Sequence, residues 1–167
     1  MLSKPDCGWV DFQLDNSKIY GLSYLDDIAF EWLDQAIHGL RTLKPFCVKG
    51  FMEPNRFLCL VSYWNCHIII EDEEKYELNK DSIVYEYSHT SMLEFCKNLY
   101  DDIYKNFEEF VKFKSYAVDE EDDDYETYFE EKRKILENKL KELNQLIQER
   151  KVFLAIIAAF YDSEKSK

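Results

Sequence analysis

Asp119, Glu121, Asp123 and Glu130 stand at the first, third, fifth and twelfth positions of one window, the spacing at which a single chain can wrap oxygen ligands around calcium. The window closes badly. Asp124 takes the sixth position, where the sharp turn of such a loop wants glycine, and a helical pattern starts before the last ligand is reached. The acids therefore read as a solvated charge run, and no specific metal or other cofactor is expected. Nucleophilic chemistry is no better served. Cys66 and His67 are neighbours on an apparent strand, which turns them to opposite faces and denies them a thiolate–imidazole contact. Cys59 or Cys96 could reach His67 only through the fold, while His38 and His89 have no recognisable partner. The carboxylate pairs Asp26 and Asp27, Asp101 and Asp102, and Glu108 and Glu109 read as helix caps or solvent faces. Gly8, Gly21, Gly39 and Gly50 are isolated, so there is no phosphate-cradling loop. Nothing here argues for an enzyme.

Charge says more than motif. The 167 residues carry 21 Lys and Arg against 34 Asp and Glu, a formal net charge of −13. Such a balance disfavours direct binding to DNA or RNA, whose affinity comes largely from cations that displace counterions. The excess is uneven, at about −9 over residues 115–131 and about +4 over residues 132–167. Asp119, Glu120, Glu121, Asp122, Asp123 and Asp124 are the expected partner-binding residues: a mobile, solvated connection that also supplies long-range attraction to a basic protein. The five cysteines are odd in number, scattered and never spaced Cys-x-x-Cys, which fits reduced thiols. The first ten residues lack the apolar core and cleavage site of a secretory signal, and no apolar run reaches membrane-spanning length. A cytoplasmic protein without a membrane partner is expected.

The elements that must position these residues follow from periodicity. In "WVDFQLD" the apolar Val10, Phe12 and Leu14 alternate with polar residues, and with "IYGLS" they make a hairpin. A helix over about Leu25 to Leu43 follows, capped by Ser23 together with Asp26, or by Asp26 alone, and ended by Pro45. "FCVKGFME" and "FLCLVSY" form a second hairpin around Pro54 and Asn55, extended by "WNCHIII" and, after a polar stretch, by "SIVYEY". Ser91 and Glu94 make a capping box that opens a helix running to about Lys114. Beyond it no Gly or Pro interrupts residues 125–161, and a heptad seam runs through Phe129, Leu136, Leu140, Leu143, Ile147, Leu154, Ile157 and Tyr161, broken by Arg133 and Arg150. The expected fold class is α+β: a mostly antiparallel sheet, N-terminal hairpin plus meander, with helices packed on one side and a long C-terminal helix. Residues 1–116 form the α+β domain, 117–124 the acidic connection, and 125–163 a long helix that packs on the domain or on a partner.

The stretch "GWVDFQLDNSKIYGLSYLDDIAFEWLDQAI", the "EPNR" hairpin and "HIIIE" together resemble the small cytoplasmic immunity proteins of bacterial polymorphic-toxin systems. The resemblance covers roughly the first two thirds of the chain, in element order and acidity, and the long terminal helix departs from it. It implies a non-catalytic inhibitor that blocks a basic toxin domain. The alternatives are a nucleic-acid mimic that inhibits a DNA-binding enzyme and an assembly protein that forms a homo-oligomer through the C-terminal helix.

Overall fold

The computed structural model describes residues 1–71, 83–114 and 125–165, with side chains of the last helix described over residues 126–152. Among the described residues, alternating apolar residues build six strands in two antiparallel sheets. Strands β1 (Trp9–Phe12) and β2 (Tyr20–Ser23) form the N-terminal hairpin. Strands β3 (Phe46–Phe51), β4 (Arg56–Val61), β5 (Cys66–Glu71) and β6 (Ile83–Ser88) form a four-stranded meander in sequence order. The helices are α1 (Ile28–Thr42), α2 (Met92–Lys105), α3 (Phe107–Val111) and α4 (Tyr125–Lys165). The α+β class and the long terminal helix are as the periodicity predicts. Among the described residues no helix is long and apolar enough to cross a membrane.

One face of the meander is buried. Phe46 and Val48, Phe57, Cys59 and Val61, and Cys66, Ile68 and Ile70 point into a single core with Trp32, Phe95, Leu99 and Ile103 of the helices. Phe12 meets Trp32 and Phe57 edge-on, with ring centroids 5.4 and 4.9 Å away, and Trp32 stacks on Phe57 at 6.0 Å. The Trp32 indole donates to the Lys49 carbonyl at 2.7 Å, so its one polar group is satisfied in the core. Gly39 is required where α1 meets β3, because a Cβ there would lie 2.2 Å from the Phe46 ring.

The helix α4 joins that core through Phe129, Leu136, Leu140, Leu143 and Ile147, the expected seam; Leu154, Ile157 and Tyr161 lie outside the described side chains. It runs parallel to α1 in a common register. Asp27 pairs with Lys132 and Asp34 with Lys139, a step of seven residues on both helices. Of the two arginines that interrupt the seam, Arg133 reaches out to Glu108, and Arg150 donates to the Leu40 carbonyl at 2.8 Å.

Two helix boundaries differ from expectation. Neither Ser23 nor Asp26 caps α1, which begins at Ile28 after Asp27, and Asp27 makes no capping hydrogen bond either. The carboxylates are drawn to lysines instead: Asp27 accepts from Lys132 at 2.7 Å, and buried Asp26 has Lys49 at 3.9 Å. Ser23 is fully buried, and its hydroxyl has no hydrogen-bond partner among the described residues. Leu25, expected on the apolar face of this helix, precedes it and is exposed. The second helix does not reach Lys114. It breaks at Asn106, whose side-chain amide donates to the Asp102 carbonyl at 3.0 Å, and the chain restarts as α3, which turns Phe110 and Val111 inward. Its start is as predicted, with the reciprocal Ser91 and Glu94 capping box present.

Candidate interaction surface

The groups that could do chemistry are separated or occupied. Cys66 is buried and donates to the Thr90 carbonyl at 3.3 Å, while His67 faces outward, so the strand parts them as predicted. Cys59 and Cys66 meet in the core. That contact and burial push the Cys59 thiol well above its ordinary value, and burial does the same to Cys96, so both stay protonated and unreactive. Five of the six paired carboxylates have partners within the fold, and Asp101 lies on the solvent face of α2. Asp26 and Asp27 face Lys49 and Lys132, Asp102 accepts from the Leu2 amide at 2.8 Å, and Glu109 pairs with Lys4 at 2.7 Å. Glu108 takes a bidentate clasp from Arg133 at 2.9 and 2.7 Å, which holds its carboxyl below the usual range. Among the described residues no group of three or more His, Cys, Asp or Glu is placed to hold a metal ion.

The acidic run lies outside the described residues, and Asp119, Glu120, Glu121, Asp122, Asp123 and Asp124 with it. The lysines and arginine just beyond it are partly committed elsewhere. Lys132 is 6% exposed, and its ammonium lies 4.7 Å from the Phe30 ring centroid and 5.6 Å from that of Tyr128 as well as beside Asp27. Arg133 belongs to Glu108.

What stands open is the other face of the meander. The register sets three cross-strand rows there: Cys47, Leu60, His67 and Tyr87; Lys49, Leu58, Ile69 and Tyr85; Phe51, Arg56, Glu71 and Ile83. No described helix covers these rows, and Leu60, Ile83, Tyr85 and Tyr87 are each at least 40% exposed. The rings are ordered against one another. The Tyr85 hydroxyl lies against His67 Nδ1, His67 meets Tyr87 edge-on at 5.4 Å, and Tyr87 meets His89 likewise at 4.9 Å. Such a ladder offers large, rigid, amphipathic contact area at low entropic cost.

No family model matches this chain. Neither a curated protein nor a solved structure shows significant similarity to it, so the surface must be judged on its own chemistry.

A second exposed feature is apolar. Where α1 ends and α2 begins, Leu40, Leu43, Tyr63, Trp64, Met92 and Leu93 line a cleft of about 430 Å³ beside Arg150, with Trp64 77% exposed. Periodicity did not anticipate either surface. The signal available was "IVYEY", apolar on both sides of a strand and placed last in the meander, where a strand has a neighbour on one side only.

Proposed function

We propose that this chain is a non-catalytic acidic binding protein that takes up a basic protein domain, in the manner of the immunity proteins that its N-terminal two thirds resemble. The observation that carries the reading is the bare, aromatic outer face of the meander in a chain of net charge −13. Charge draws the partner in and speeds encounter, while Tyr85, Tyr87 and Leu60 supply the anchors that slow its departure. The acidic run adds long-range attraction. Internal ion pairs such as Lys4 with Glu109, Arg133 with Glu108 and Lys141 with Glu137 occupy cations that would otherwise repel a basic partner.

The test starts from the neighbouring genes: a basic domain encoded there is co-expressed with this chain, and a neighbourhood that encodes none counts against the reading. Protection of growth and a complex that survives gel filtration are expected from the parent. The Tyr85→Ala/Tyr87→Ala variant should fold, yet bind at least about a hundredfold more weakly, as loss of two anchors implies. A variant that protects as well as the parent removes the sheet face from the reading, and a parent that forms no complex removes the reading itself.

Assembly through α4 is the second reading, favoured by the Trp64 cleft beside Arg150 and by the uncharged stretch over residues 152–161 that follows in sequence. Sedimentation of the parent separates the two. A monomer at micromolar concentration ends the assembly reading.

A further inference from the structure

Strand β6 is the last strand of its sheet in the described structure, paired to β5 on one side and to no described strand on the other. Proteins usually blunt such an edge with lysine, proline, a bulge or a cover, because its unpaired amides and carbonyls are a template for another strand. Lysine, proline and a bulge are absent from "IVYEYS" and no described strand pairs with its outer side; the one such device it carries, the inward-pointing charge of Glu86, is answered within the chain by Lys18. The strand pairs with β5 residue for residue from Glu71 opposite Ile83 to Cys66 opposite Ser88, with no bulge. Its one charged residue, Glu86, is on the inner face and accepts from the Lys18 amide at 3.1 Å. Both faces of the strand meet solvent: Tyr85 is 56% exposed on the outside and Val84 48% on the inside, where the helices stop short of it.

We propose that β6 is a docking edge, to which an extended basic segment of the partner adds as a further antiparallel strand. This rests on the reading of the chain as an acidic binding protein and names how the partner is held. Backbone hydrogen bonds from alternate β6 residues would supply the attachment. Apolar side chains of the added strand would lie beside Tyr85 and Tyr87 on the outer face. Charge selects the occupant. The chain carries a formal net charge of −13, so a segment rich in Lys or Arg is attracted to it. A second copy brings together two chains of −13 each and is disfavoured on the same ground.

The experiment uses the full chain and two end-blocked peptides of alternating lysine and valine, equal in length and charge, one of them N-methylated on every second residue. Methylation removes donors from one edge and leaves charge untouched, so it separates strand addition from simple attraction. Binding is followed by NMR, with hydrogen exchange read at the amides of Ile83–Ser88. The unmodified peptide should saturate and slow exchange at alternate β6 amides by about tenfold or more, and the methylated peptide should bind about tenfold more weakly. Equal affinity of the two peptides, protection that falls elsewhere, or no saturable binding overturns the edge assignment. The co-expression result then tells the two ideas apart: a stable complex without β6 protection leaves the acidic binding protein standing, whereas no complex sinks both.

Discussion

The inner and outer faces of the four-stranded meander share their strands, alternate residue by residue, and meet opposite surroundings. Inside, Phe57, Cys59, Val61 and Ile68 are fully buried against α1 and α2. Outside, Leu60, Ile83, Tyr85 and Tyr87 are comparably apolar and stay in water. Scattered exposed apolar residues are ordinary, but rows of them on one sheet are not, since solubility favours polar residues there. The difference separates what the chain needs to fold from what it keeps for another molecule. Helix packing shows the same division. The sides of α1 and α4 that face the core are filled by buried apolar residues, and ion pairs in register, Asp27 with Lys132 and Asp34 with Lys139, flank the contact.

Matched substitutions on the two faces break this comparison most directly. Phe57→Ala empties the centre of the Phe12, Tyr20 and Trp32 cluster and should cost about 3 to 5 kcal/mol, a large part of the stability of a domain this size. Tyr85→Ala, at a residue 56% exposed, loses cross-strand contacts with a half-buried His67 and should cost less than about 1 kcal/mol. Urea unfolding of both variants measures the contrast. Similar losses at the two positions would make the outer ladder structural and weaken its assignment as a binding face.

The sequence discloses the inner face well and the outer face hardly at all, for a physical reason. A period of two tells which residues share a side of a strand, so Val10 and Phe12, alternating with polar neighbours, are legible as core. It does not tell which side the helices will cover, nor that β6 ends the sheet. Local hydrogen-bonding signals are read with similar unevenness. The Ser91 capping box is legible because both partners lie within four residues. The start of α1 is not, because Asp27 answers to Lys132, 105 residues away. Nor is the break at Asn106, whose side chain competes for a backbone carbonyl inside an otherwise regular apolar pattern. The acidic run, chosen for its composition, lies outside the described residues, so the candidate surface now rests on β4, β5 and β6 instead.

Lys132 gives a second, smaller contrast between closed and open surfaces. Replacing it with Ala leaves Asp27, 19% exposed on its side chain and with one carboxylate oxygen that has no hydrogen-bond partner among the described residues, without its cation. The expected loss is about 3 kcal/mol, mostly the cost of a stranded charge. The double variant Lys132→Met/Asp27→Asn should recover most of that loss, because the methionine keeps the contact with Phe30 while the charge to be compensated is gone. If the double variant is as unstable as the single one, packing of the lysine stem, not the ion pair, fixes α4 on α1.

The smallest effect lies at the start of α2, on the helical side of the comparison yet at its solvent edge. Glu94 accepts from the Ser91 amide at 2.9 Å and from its hydroxyl at 2.7 Å, and these bonds hold its carboxyl below the usual glutamate range. A carboxyl whose folded value is depressed contributes fully above its unfolded pKa, about 4.3, and loses that contribution as pH falls through the folded value. The side chain is exposed, so water screens the charge, and a glutamine can keep part of the capping box. Glu94→Gln should therefore cost no more than about 1 kcal/mol at pH 7, with the difference from the parent shrinking at an acid pH below the depressed folded value. Unfolding curves of the pair at both pH values check it. A penalty that is the same at both would show that the geometry of the capping box matters there and the charge does not, placing this end of the helix with the neutral packing of the inner face.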